Sequence, residues 1–248
     1  MSRTLSVFVT SLLCCLGTPS AWACDKAADQ ASLLSLESKA LLDNAPTFRH
    51  GWEDGNIRLQ FKDHRSQAEG CHATMQLTLP QTDLDEVNAY LEQHPANRIL
   101  LGAQGYAIPE NRLIEVDYGY QVKGDAIVPQ NADNKPLKDL HHSIEFMYQL
   151  LAQTRADVTS ASRNTQPWPA ERKAQETKRC ADTLKADGAP IGSACDCRIE
   201  KLALLISPRQ QELVEFLLAQ PYSTATGALI GYTEQSKAIN HSCGLTKR

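Results

Sequence analysis

"IEVDYGYQV", residues 114–122, alternates apolar and polar side chains almost without a break. Ile114, Val116, Tyr118, Tyr120 and Val122 fall on one face, with Glu115, Asp117 and Gln121 opposite. Successive side chains of a strand point to opposite sides, so period two over this length predicts a half-buried β-strand. The apolar set is β-branched and aromatic, the composition that packs well on a pleated surface. The same period recurs upstream, where Ile57, Leu59 and Phe61 share one face and Met75, Leu77 and Leu79 another. A fourth strand is expected at "RILLGAQGY", residues 98–106, with Gly102 and Gly105 marking a bulge or a close backbone approach.

Helical periods separate these strands. "ASLLSLESKALLDN" (31–44) is amphipathic. "TDLDEVNAYLEQHP" (82–95) offers Thr82 or Asp83 as cap, acids in the first turn and Pro95 as a stop. From about Pro136, Leu137, Leu140, Ile144, Met147 and Leu151 step by three and four, the spacing of one buried stripe. "HGWEDGN" (50–56) reads as a turn. The order helix, two strands, helix, two strands, helix predicts an α+β fold: an antiparallel sheet of about four strands with helices packed on one face.

The texture changes at "ADVTSASRNTQPWPAERKAQETKR" (156–179), which is polar and broken by Pro167 and Pro169. Residues 158–172 read as a linker between an α+β unit, 24–157, and a helical unit, 173–248. Downstream the period is helical throughout. One helix is expected to end at Gly188, and a second, "SACDCRIEKLALLI", to open with Ser193 as cap. In "SPRQQELVEFLLAQP", Ser207 caps, Pro208 takes the first helical position, Gln210 completes a capping box and Pro221 stops the helix. A last helix over about 224–243 completes a small bundle.

Compartment decides what the cysteines mean. Arg3, an apolar run from Leu5 to Gly17, Pro19 and Ala21-Trp22-Ala23 form the pattern of a signal peptide, 1–23, cleaved after Ala23. The run is shorter than the roughly 20 residues a spanning helix needs. A periplasmic or secreted protein is therefore expected, with no membrane span. The net charge of −4 and the mixed order of charges leave no polybasic patch, which argues against nucleic acid as a partner.

Apart from Cys14 and Cys15 in the signal, Cys24, Cys71, Cys180, Cys195, Cys197 and Cys243 remain, a set that reads as disulfides in an oxidising compartment. Cys24 and Cys71 alone precede the linker and should pair. Residues two apart on a helix point about 200° from each other, so a Cys195–Cys197 bond would unwind the helix start. Each must then bond Cys180 or Cys243. Depth-matching across a helical hairpin favours Cys180–Cys197 with Cys195–Cys243. A redox dithiol is the sharper alternative, but Asp196 between the sulfurs would raise a thiolate pKa.

Few residues look chemical. His141 and Glu145 stand one helical turn apart and would make half a metal site, without the H-E-x-x-H order or a third ligand. Gln104 and Tyr106 lie beside the glycines and are candidates for contact with a ligand or partner. No G-x-S-x-G, P-loop or G-x-G-x-x-G occurs, and neither metal nor cofactor is expected. The composite reading is an exported, disulfide-stabilised, non-catalytic envelope protein. It would bind another envelope or secreted protein as an assembly factor, an inhibitor or an immunity-type antagonist, with a sheet edge as one available surface. The alternative is a periplasmic enzyme, either a thiol–disulfide oxidoreductase using Cys195 and Cys197 or a hydrolase using His141 and Glu145.

Overall fold

A computed structural model describes Cys24 and residues 27–42, 45–67, 70–124, 126–220 and 226–247. The segment expected to be a signal peptide, 1–23, lies outside these. The chain runs α1 (Ala27–Leu42), α2 (Pro46–Glu53), β1 (Arg58–Gln67), β2 (Gly70–Thr78), α3 (Gln81–Gln93), α4 (Pro95–Ala103), β3 (Leu113–Lys123) and β4 (Ala126–Pro129). It continues with α5 (Lys135–Arg155), α6 (Ala170–Thr183), β5 (Leu184–Ala186), α7 (Ile191–Leu205), α8 (Pro208–Ala219), α9 (Thr226–Ser242) and β6 (Leu245–Lys247).

The period-two segments make one antiparallel sheet, in the order β1-β2-β3-β4. Register places Leu59, Leu77 and Ile114 in one row and Phe61, Met75 and Val116 in the next. Helices cover that face, and Met75, Leu77, Tyr118 and Tyr120 lie at or near zero exposure. The opposite face carries a polar ladder. Gln60 and Glu115 both bond Gln76, Lys62 reaches Glu115 at 2.8 Å, and Asp117 pairs with Arg65 and His72. The fold is α+β with helices on one side of the sheet, and disulfides staple the C-terminal helices.

The fourth strand is β4, not residues 98–106. Those form α4 and the turn after it: Pro95 starts the helix, and Gly105, at φ 80°, ends it in the left-handed conformation. A short apolar run cannot be told apart as helix or strand by its period. Only Leu101 of α4 is buried, which leaves Ile99 71% and Leu100 59% exposed. Residues 50–53, expected as a turn, complete α2, whose Phe48 packs edge-on against Tyr148 at 5.0 Å. The helix expected to reach Gly188 stops at Thr183, because Leu184–Ala186 pair with Leu245–Lys247 as a second, two-stranded sheet.

α5 ties the parts together. Leu137, Leu140, Ile144, Met147 and Leu151 fill the sheet-side core as the stripe requires, while Ala152 and Ala156 enter a second core with α7, α8 and α9. Residues 158–172 lie along these helices: Val158 and Trp168 are buried, the Trp168 indole donates to Ile206 O at 2.8 Å, and Asn164 N to Leu204 O at 2.9 Å. Ser207 caps α8 by accepting from Gln210 N, but the Gln210 side chain donates to Arg155 O and Asp157 O rather than turning back to complete the expected capping box.

Candidate functional site

The six cysteines form three disulfides, Cys24–Cys71, Cys180–Cys195 and Cys197–Cys243. The first is as expected. The other two exchange partners relative to depth-matching, because α6 ends before the assumed hairpin turn and brings Cys180 level with Cys195. Cys195 is fully buried beside Cys180, Ala194 and Leu245. Cys197, about 200° further round the helix, faces α9 and meets Cys243. The C-x-C is a double staple, and its two sulfurs hold two different helices.

His141 and Glu145 are not partners. His141 Nε2 bonds the carboxylate of Glu37 on α1, which is only 3% exposed. Glu37 also acts on Tyr118, whose phenol is pushed well above its ordinary range by burial and by the carboxylate beside it. Glu145 accepts from Gln149 and stands 3.8 Å from His142 Nδ1. The His142 ring lies 5.0 Å from Tyr106. Tyr106, His142 and Glu145 therefore come together next to the exposed end of α4. His141 turns toward α1, and Gln104 stands exposed just beyond α4.

A cleft of about 410 Å³ opens between α2, α3, α5 and α8, lined by Thr47, His50, Asp54, Asp83, Arg155 and Arg209 among others. Its charged groups are engaged with one another. Arg209 grips Asp54 through two bonds of 2.6 and 2.8 Å and holds that carboxyl below its usual range. His50 Nε2 meets Glu212 at 2.8 Å. Asp83, expected as a helix cap, is instead buried and accepts from Tyr148 and Arg155. Such reciprocal pairing fastens the sheet side to the C-terminal helices.

The C-terminal helices enclose a polar cluster that no motif announced. Arg172 and Arg179 on α6 both donate to Glu215 of α8, at 2.8 and 2.6 Å, and Gln211 adds a third bond. Glu176 is buried beside them, and its Oε1 and Gln211 Oε1 make no hydrogen bond. Burial and the neighbouring Glu215 push the Glu176 carboxyl above its ordinary range, against the pull of Arg179 and Arg172. Burial also acts to raise Glu215, but bonds from Arg179, Gln211, Glu176 and Arg172 outweigh it and hold Glu215 low. Two carboxyls side by side share a proton in this way. The sequence did carry a signal. On α6, Arg172 and Glu176 stand one helical turn apart in line with buried Cys180, and both are charged where an inward stripe should be apolar.

Because the folded state binds the Glu176 proton more tightly than the unfolded chain, this group lowers stability as pH rises through and above the carboxylate range. Glu176→Gln is therefore expected to raise the melting temperature relative to wild type at about pH 8, with the gain shrinking toward about pH 5. A gain independent of pH in paired melting curves would contradict the assignment.

Among the described residues, no group of three or more His, Cys, Asp or Glu side chains is placed to hold a metal ion, and no helix is long and apolar enough to cross a membrane. No protein-family model, curated protein or solved structure matches the chain.

Proposed function

We propose that this chain is an exported, disulfide-stapled envelope protein whose role is to bind another exported protein. The observation that carries the reading is the surface around α4. Ile99 and Leu100 stand 71% and 59% exposed, and the Tyr106–His142 ring pair and Glu145 lie on the adjoining flank of α5. Neighbouring apolar side chains left in water beside an aromatic and a polar rim are the composition of a protein interface. The sheet edges fit this role less well. β1 carries Arg58, Lys62, Asp63, His64 and Arg65 and an irregularity between Lys62 and Arg65, and β4 is four residues long and ends at Pro129. Charge, bulges and proline are the devices that keep an edge from adding a strand. Three disulfides are in keeping with an oxidising compartment.

A photo-crosslinking residue at position 100, in protein expressed with its own export signal, is expected to yield one discrete envelope-protein adduct. The same probe at exposed Lys178 should not. Leu100→Asp should weaken capture of that partner about tenfold or more, as for a central interface residue. As a surface change, it should move stability by no more than about 0.5 kcal/mol. Equal adduct yields at positions 100 and 178 would overturn the reading.

A further inference from the structure

The three disulfides are not equally reachable. Cys24, Cys71, Cys180 and Cys195 each stand at 5% exposure or less, enclosed by the cores they staple. Cys197 and Cys243 are only half-buried, so their bridge has solvent on one side. Exchange requires a thiolate to reach one sulfur of the bond, and access therefore separates a labile bridge from an inert one.

Charge around this bridge favours the same reaction. Lys201 follows Cys197 by one helical turn on the same face of α7, and its ammonium donates to Ser242 Oγ at 2.8 Å, next to Cys243. The acids nearest in sequence turn elsewhere: Asp196 accepts from Thr177 on α6 at 3.2 Å, and Glu200 lines a hollow beside Trp168. A thiolate left on Cys197 has a cation beside it. One left on Cys243 would stand directly after the last turn of α9, where the carbonyl end of a helix disfavours negative charge. Cys197 is thus the better leaving group, and Cys243 the sulfur to be attacked.

We propose that Cys243 is a thiol-exchange site, modified by a small thiol of the glutathione type. The incoming thiolate attacks Cys243 Sγ, the Cys197–Cys243 bond breaks, a mixed disulfide forms on Cys243 and Cys197 leaves as the thiolate. A second thiol then displaces Cys243. Both cysteines end reduced, taking the protons of the two thiols, which are oxidised to their own disulfide. α9 loses its covalent tie to α7, while Cys180–Cys195, the β5–β6 pairing and the bonds of Arg198 to Asn240 and Ser236 remain. The product is a folded protein with a loosened α9. The site is separate from the α4 surface and does not depend on the partner-binding reading.

The test treats the oxidised, full-length exported protein with reduced glutathione, quenches with acid, alkylates with N-ethylmaleimide and maps the peptides by mass spectrometry. Early time points are expected to show the glutathione adduct on Cys243 and the alkyl group on Cys197, with Cys24–Cys71 and Cys180–Cys195 still closed. Lys201→Gln should slow adduct formation about threefold or more by removing the charge that stabilises the leaving thiolate, and Lys201→Arg should restore the rate. Opening of either buried bridge before Cys197–Cys243 would overturn the proposal. An adduct carried mainly by Cys197, or a wild-type rate in Lys201→Gln, would overturn it as well.

Discussion

Replacing Cys197 and Cys243 together by serine is expected to lower the stability of the native protein by about 4 kcal/mol, the loop-closure value for two residues separated by 46. The bond joins the start of α7 to the residue just after α9, so without it the unfolded chain regains the freedom of most of the C-terminal helices. The matching pair of substitutions at Cys180 and Cys195, separated by only 15, should cost about 3 kcal/mol. Urea denaturation of both variants without reductant gives the two values and their order. Thiol titration adds a sharper check on connectivity. The Cys197/Cys243 double variant keeps Cys180 bonded to Cys195 and should show no free thiol. Two free thiols would mean that the bridges are crossed.

Gly231→Ala on α9 is expected to destabilise the protein by about 3 kcal/mol or more, although alanine is the better helix former by up to about 1 kcal/mol. A Cβ at this position would stand 1.9 Å from Val158 O and 3.1 Å from Val158 C. Both sides of the clash are backbone, so no rotamer change relieves it, and α9 must lift away from the segment that follows α5. Val158 is itself fully buried, which blocks retreat from the other side. Gly227 lies on the same helix, but a Cβ added there would meet nothing within 4 Å, and Gly227→Ala should be neutral or slightly stabilising. The opposite signs of two identical substitutions, read from thermal melts, separate packing from propensity. A stabilised Gly231→Ala would mean that α9 does not lie against residues 157–158.

Where burial is one-sided and regular, the sequence alone was decisive. Strict alternation at Ile57–Phe61, Met75–Leu79 and Ile114–Val122 specified three strands, because a pleated strand with one wet face allows no other pattern. The three-and-four stepping of Leu137 to Leu151 specified the core helix for the same reason. Chain order was enough to pair Cys24 with Cys71, and helix geometry was enough to forbid a Cys195–Cys197 bond. Residues 98–106 went the other way: four apolar residues beside two glycines suit strand and helix alike, and the structure makes them part of a helix that Pro95 opens, Gly105 ends and Leu101 anchors in the core. The bridge partners of Cys195 and Cys197 turned on where α6 ends, and a strand pairing with residues more than fifty positions away set that end. The Glu37–His141 bond, the grip of Arg209 on Asp54 and the Glu176–Glu215 cluster likewise join elements far apart in the chain. Local periodicity records which side of an element is buried, but not which other element buries it. Only the tertiary structure, through long-range packing, decides which distant polar groups meet.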